Sequence, residues 1–164
     1  VKLIRINCKN KIQVFVPDRK TPTKLHVSFK GPRDSVFDGG IYHAVLDLAG
    51  FPNQGPIIQI PHLNGGYIPN TNLCIVKITR GHDDEFQKGI SLETAIEGLA
   101  IMMIADPQTG GGTGRIVNQS NVQQIKQWAI DSRSFTCSCG AKHADLLNQF
   151  YTKIECYDPF DNLP

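Results

Sequence analysis

The chain has 164 residues, of which 40% are apolar and 20% are charged. This composition is typical of one folded domain, and it excludes a disordered, collagen-like or coiled-coil protein. We therefore expect residues 1–164 to form a single domain. The longest dense apolar run covers residues 99–105, which is far short of the roughly 20 residues that span a bilayer.

The net charge of +2 is unevenly divided along the chain. Residues 1–33 contain nine Lys and Arg and one Asp, whereas the remainder contains eight basic and fourteen acidic residues. A basic segment of this kind is either ordinary solvated surface or a docking face for an acidic partner. Aromatic residues do not interleave with these basic residues as a stacking platform requires, so we predict no nucleic-acid binding.

The first half of the chain has the pattern of β-strands. Residues 11–16 and 24–30 alternate apolar and polar side chains, and apolar segments 41–48 and 57–60 follow after turns rich in Gly and Pro. Four strands joined by short turns predict an antiparallel meander. Residues 62–89 lack clear periodicity, and a loop of this length in a compact domain is usually functional or disordered.

The second half has the pattern of helices. Ser91 is a candidate N-cap for a helix that ends near Pro107, and Ser120 or Asn121 is a candidate cap for the next. A third helix is predicted at residues 142–156. Strands followed by helices predict an α+β fold, in which a four-stranded antiparallel meander sheet packs against helices on one side or end.

The cysteines and glycines offer little sign of a bound cofactor. Five cysteines at wide spacing do not form a secreted disulfide framework, so a reducing compartment is indicated. Cys137, Cys139 and His143 leave a fourth zinc ligand unaccounted for, and we predict no metal site. The run of glycines at 110–112 lacks the Lys of a phosphate-binding loop and follows a helix rather than a strand.

Cys74 is the main candidate nucleophile, although on composition alone a lone Cys beside Leu and Ile is more often a small buried apolar residue. The ordered blocks around it change this reading. They are residues 29–42 with Gly31-Pro32 and Gly39-Gly40, then Phe-Pro-Asn-Gln-Gly-Pro at 51–56, Leu73-Cys74-Ile75, and the helix that opens at Ser91. Over residues 11–156 the chain resembles a ubiquitin-conjugating enzyme. It is most similar to the subfamily that is tail-anchored in the endoplasmic reticulum. That group lacks the usual His-Pro-Asn signature and carries an Asn-Gly-aromatic stretch, here residues 64–67.

The resemblance implies that Cys74 carries ubiquitin as a thioester and transfers it to a lysine of a substrate protein. Most of the family has an Asn eight residues before the cysteine that helps to stabilise the oxyanion, and here that position is Gly66. Candidate replacements are the side chains of Asn64, Asn70 and Asn72, or backbone amides of the loop, although Asn also favours turns. Asp84 is a candidate for orienting or deprotonating the attacking lysine amine, with a solvated charge cluster as the alternative.

The resemblance also implies partners. The family contacts RING-type ubiquitin ligases through two loops that here contain Asn53 and residues Gln87, Lys88, Gly89 and Ile90. It contacts the ubiquitin-activating enzyme through a basic first helix, of which residues 1–9, with Lys2, Arg5 and Lys9, are expected to be a remnant. Phe86 and Ile90 stand where the family or subfamily has Trp.

No directly bound cofactor is expected, since the activating enzyme uses the ATP. A removed membrane tail would place the protein on the cytosolic face of the endoplasmic reticulum; otherwise we expect it in the cytoplasm. Two alternatives stay open, an inactive binding module and a carrier for another ubiquitin-like modifier.

Overall fold

A computed structural model describes residues 2–4, 12–18, 20–81, 85–105, 114, 116 and 121–148. The strands within these ranges are β1 (Lys2–Ile4), β2 (Ile12–Val16), β3 (Lys24–Lys30), β4 (Ile41–Asp47) and β5 (Ile57–Gln59). The helices are α1 (Leu92–Ile104), α2 (Val122–Asp131), a 3₁₀ turn at Ser132–Ser134, and α3 (His143–Asn148).

The described strands form one antiparallel sheet in the order β1-β2-β3-β4-β5. The predicted α+β fold with its four-stranded meander is therefore confirmed, and β1 is an addition to it. Lys2–Ile4 pairs with residues 14–16 of β2, so the expectation of a helical remnant is wrong for these three residues. The physical reason is that the outer edge of β2 offers unpaired backbone groups to an extended neighbour.

One face of the sheet carries the main apolar core. Leu25, Val27 and Phe29 alternate along β3 and belong to the same buried cluster as Leu99 and Met103 of α1. The predicted caps are confirmed at both major helices. Ser91 Oγ accepts from the Thr94 N–H at 3.0 Å, and the Asn121 side-chain oxygen accepts from the Gln124 N–H at 3.0 Å. The third predicted helix is found at His143–Asn148, and residues 149–156 lie outside the described residues.

The opposite face of the sheet is also covered. His26 and Ser28, which point away from the main core, are 8% and 0% exposed. Helix α3 contacts β2, β3 and β4, and Cys137, just before it, contacts His26. The expectation that helices occupy only one side or end of the sheet is therefore wrong. The alternating pattern of β3 correctly predicts which residues share a face of the sheet. It does not predict that the polar face is exposed to solvent, and His26 on that face is buried.

Candidate active site

Cys74 lies in a loop at residues 62–81, the Cys74 loop, whose middle part runs beside β5. The backbone N–H of Asn70 donates to the Ile60 carbonyl at 2.9 Å, and that of Leu73 donates to the Ile58 carbonyl at 2.8 Å. Leu73 and Ile75 are each only 2% exposed, while Cys74 between them is half-buried and has a free thiol. The two buried neighbours thus anchor the chain and leave Cys74 partly exposed.

A tight turn after Cys74 fixes the segment from the other side. The Ile75 N–H donates to Thr79 Oγ1 at 2.7 Å, and the Thr79 N–H donates to the Ile75 carbonyl at 2.9 Å. The position of a Cβ atom at Gly81 lies 3.4 Å from the Cys74 sulfur, so the end of this turn returns to the thiol. The cysteine is therefore held between two hydrogen-bonded segments.

Thr79 is a structural support that the sequence pattern did not reveal, and its hydroxyl can be tested. Thr79→Val keeps the side-chain shape but leaves the buried Ile75 N–H without this acceptor, so we expect the free energy of unfolding to fall by about 1–3 kcal/mol. Urea denaturation monitored by circular dichroism measures the change. Thr79→Ser retains the hydroxyl and is the matched control; an equal loss in both variants would contradict the role of this hydrogen bond.

Asn64 is fully buried and holds the beginning of the Cys74 loop. Its side-chain oxygen accepts from the N–H groups of Gly66 at 2.9 Å and Tyr67 at 2.7 Å. Its amide group donates to the carbonyls of His62 at 2.8 Å and Tyr67 at 3.1 Å. Because both amide hydrogens are used within the loop, this arrangement favours a structural role and speaks against the predicted oxyanion role of Asn64.

The same part of the loop is tied to a helix and to the sheet. The Tyr67 hydroxyl donates to the Leu99 carbonyl of α1 at 2.7 Å. His62 Nε2 accepts from the His43 N–H of β4 at 3.0 Å, and burial lowers the pKa of His62, which keeps the ring neutral as an acceptor requires. A Cβ atom at Gly66 would come within 3.1 Å of Met103 Cγ, so a larger residue at this position requires Met103 to move.

The other predicted site residues differ in their placement. Asn70 and Asn72 are exposed, and Asn70 has a φ of 57°, a left-handed conformation that Asn tolerates. Asn72 Oδ1 accepts from Gln59 Nε2 at 2.7 Å, a bond that uses neither of its own amide hydrogens. Both residues stay candidates for oxyanion donors. Asp84 lies outside the described residues.

The two predicted ligase-binding loops both contact the segment that follows Cys74. Asn53 is exposed in one loop, whose Ala49 carbonyl accepts from the Arg80 guanidinium. In the other loop, the Gln87 N–H donates to the Lys77 carbonyl at 3.3 Å. Residues 87–89 (Gln87, Lys88, Gly89) are exposed, and Ile90 is half-buried. Of the predicted activating-enzyme contacts, Lys2 lies in β1, whereas Arg5 and Lys9 fall outside the described residues.

The sequence is similar to curated proteins of one kind. It is 32% identical over 96 residues to "Ubiquitin-conjugating enzyme E2 6" of Candida glabrata, which is 58% of this chain and 39% of that protein. It is 30% identical over 124 residues to "Ubiquitin-conjugating enzyme E2 J1" of Homo sapiens, covering 74% of this chain and 37% of that protein. The chain is a relative of the ubiquitin-conjugating enzymes. It spans less than half the length of these relatives.

The fold agrees with this relationship. A solved structure titled "Novel Ubiquitin-Conjugating Enzyme" superposes with a TM-score of 0.56 at 12% identity, over 73% of this chain and 80% of that chain. Identity this low shows the fold alone, which is the ubiquitin-conjugating α+β fold. No family model matches the chain. The predicted resemblance to ubiquitin-conjugating enzymes is confirmed by the sequence relatives, and the fold agrees with it.

Proposed function

We propose that this chain carries ubiquitin as a thioester on Cys74 and transfers it to lysine amines of substrate proteins. The observation that carries the proposal is the placement of Cys74. It is a free cysteine, partly exposed, held between buried Leu73 and Ile75, in a chain related to ubiquitin-conjugating enzymes. A thiolate is both a good nucleophile and a good leaving group, which suits an acyl carrier.

The transfer has two steps. In the first, the Cys74 thiolate attacks the C-terminal glycine carbonyl of ubiquitin, which is held as a thioester on the activating enzyme, and the thiolate of that enzyme leaves. In the second, a neutral lysine amine attacks the new thioester, loses a proton, and expels the Cys74 thiolate as an isopeptide bond forms. The chain itself needs no bound cofactor, because ATP is consumed upstream.

Both steps pass through a tetrahedral oxyanion that requires hydrogen-bond donors. The donors that we propose are the side chain of Asn72, whose amide hydrogens lie outside its bond with Gln59, the side chain of exposed Asn70, or backbone amides of the Cys74 loop. We assign Asp84 the role of orienting or deprotonating the lysine amine, on its sequence position three residues after Gly81.

The proposed partners are ubiquitin, the activating enzyme, a RING-type ligase and the substrate. We assign ligase binding to Asn53 and residues 87–90. The support is that both loops contact the segment after Cys74, through Arg80 and Lys77, so a bound ligase has a short route to the thioester. Lys2, Arg5 and Lys9 in the basic segment at residues 1–33 are assigned to the activating enzyme, because charge complementarity accelerates protein encounters.

We propose that the protein is located on the cytosolic face of the endoplasmic reticulum and acts in the degradation of proteins from that compartment. The alternative location is the cytoplasm. The support is the Asn-Gly-aromatic stretch at residues 64–67 and the absence of a His-Pro-Asn signature. Within the part of the chain that the structure describes, no helix has the length and apolarity needed to cross a membrane. A segment of about 20 apolar residues beyond residue 164 in the full-length protein would supply the anchor.

The proposed activity predicts a covalent adduct. Incubation of the chain with activating enzyme, ubiquitin and ATP is expected to give a product heavier by one ubiquitin on a non-reducing gel, which a thiol reductant removes. Reactions without ATP are the control. If no modifier forms an adduct, the chain is a binding module. If only another ubiquitin-like protein does so with its own activating enzyme, the chain is a carrier for that modifier.

A further inference from the structure

Two histidines and a cysteine meet on the face of the sheet that lies opposite the main core. They are His26 of β3, His43 of β4 and Cys137, which follows the 3₁₀ turn, and all three are buried. One nitrogen of each histidine and the Cys137 sulfur lie within 4.8 Å of one another, and the sulfur is 3.3 Å from His26 Nδ1. The group contains neither Cys74 nor any residue assigned to ubiquitin transfer.

The sheet positions the two histidines. His26 is opposite Val45, and His43 is opposite Ser28, so the two rings are diagonal neighbours on one face, with centroids 5.0 Å apart. His43 Nδ1 is 3.0 Å from the Val27 carbonyl oxygen. That carbonyl orients the ring and places the proton on Nδ1, so the lone pair is on Nε2, as in histidines that bind metals.

A tight turn positions the cysteine. The Cys137 N–H donates to the Ala141 carbonyl at 2.9 Å, and the Gly140 N–H donates back to the Cys137 carbonyl at 2.8 Å. Gly140 has a φ of 83°, which a turn this tight accommodates through glycine. The Cys139 N–H points at the Cys137 sulfur from 3.5 Å. This contact brings a second cysteine, Cys139, to the same turn.

We propose that His26, His43 and Cys137 bind a zinc ion, with Cys139 or a water molecule in the fourth position. Zinc takes nitrogen and sulfur ligands in tetrahedral geometry, at about 2.0–2.1 Å for nitrogen and about 2.3 Å for sulfur. These bond lengths put neighbouring ligand atoms about 3.3–3.6 Å apart. The sulfur and His26 Nδ1 already have this separation. The other distances between ligand atoms, which are at most 4.8 Å, need to shorten by up to about 1.5 Å.

The site is structural rather than catalytic. It joins β3 and β4 to the turn at residues 136–142, and therefore fastens the start of α3 to the sheet. Imidazole and thiolate ligands favour zinc over the oxygen-seeking calcium and magnesium ions. On binding, the Cys137 S–H bond is replaced by a sulfur–zinc bond, and the proton passes to solvent.

The test uses the complete chain and the metal ion alone. After removal of metal by a chelator under reducing conditions, addition of Co²⁺ is expected to give a thiolate-to-cobalt absorption band and strong visible bands of tetrahedral cobalt, both saturating at one equivalent. Zn²⁺ is expected to displace the cobalt and to raise the thermal midpoint of unfolding. Cys137→Ser should abolish the thiolate band if Cys139 does not bind. If Cys139 is the fourth ligand, Cys137→Ser and Cys139→Ser should each weaken the band.

Cys74→Ser is the matched control, because it removes a free thiol outside the group and should leave cobalt binding unchanged. Should Cys137→Ser fail to fold, the wild-type chain still decides the matter through alkylation. Zn²⁺ is expected to slow the modification of Cys137 by a maleimide, read by peptide mass spectrometry, and to leave Cys74 unaffected. Absence of a saturable cobalt spectrum, or protection of Cys74 in place of Cys137, overturns the proposal.

Discussion

Replacement of Cys74 by serine is expected to turn a reducible ubiquitin adduct into one that survives a thiol reductant, and replacement by alanine is expected to abolish the adduct. Serine keeps a nucleophilic atom at the position fixed by the Leu73 and Ile75 backbone, and an oxygen ester is not cleaved by thiol exchange. Because a hydroxyl is a far weaker nucleophile at neutral pH than a thiol, the serine adduct should also form more slowly. Non-reducing and reducing gels of timed reactions measure both effects.

Cys156→Ser is the control for these variants, since Cys156 is a cysteine that is assigned neither to ubiquitin transfer nor to the zinc site. It should form the adduct at the wild-type rate. A reducible adduct that persists in Cys74→Ala would place the nucleophile at another cysteine and refute the assignment. The result is independent of the zinc test, because Cys74 is not a member of the buried His and Cys group.

Asn64→Ala is expected to lower the free energy of unfolding by about 2–4 kcal/mol, a large fraction of the stability of an ordinary domain. The substitution removes four hydrogen bonds and leaves the buried N–H groups of Gly66 and Tyr67 without their acceptor. An unsatisfied buried donor costs about 1–3 kcal/mol, which is why the loss exceeds that of a surface substitution. Urea denaturation followed by tryptophan fluorescence provides the measurement.

Asn72→Ala is the matched control, because Asn72 is exposed and should change stability by less than about 0.5 kcal/mol. Discharge of a preformed thioester to free lysine then separates structure from catalysis. Loss of an oxyanion donor slows such a reaction by about 10²–10³, and we expect this in Asn72→Ala or Asn70→Ala if a side chain is the donor. An unchanged rate of discharge in both variants would leave the backbone amides of the Cys74 loop as the oxyanion donors. Slow discharge in a fully stable Asn64→Ala would contradict its structural role.

The regular elements could be predicted well from local pattern. Alternation of Leu25, Val27 and Phe29 predicted the bounds of β3, and a cap at Ser91 predicted the start of α1, because both signals lie within a few neighbouring residues. The strand at Lys2–Ile4 could not be predicted in this way. Three residues carry almost no periodic signal, and their conformation depends on the edge of β2, a tertiary contact.

The site could be predicted only in part. The order of the blocks around Cys74 predicts it as the nucleophile, but its partial exposure between two buried neighbours is a property of the fold. The hydrogen bond from the Ile75 N–H to the Thr79 hydroxyl depends on a turn that hydrophobic periodicity does not predict. The grouping of His26 and His43 with Cys137 depends on pairing of β3 with β4 and on a turn more than ninety residues further along the chain, so spacing in the sequence carries no trace of it.

The double covering of β3 has a consequence for amide hydrogen exchange. This strand is bonded on both edges, to β2 and β4, and both of its faces are buried, so its amides should exchange with deuterium only when the whole molecule unfolds. The amides of Asn70 and Leu73 depend instead on single bonds to the carbonyls of Ile60, just after β5, and Ile58, within it. Their exchange reports local opening beside Cys74, and the two rates together distinguish a loosened loop from a destabilised protein.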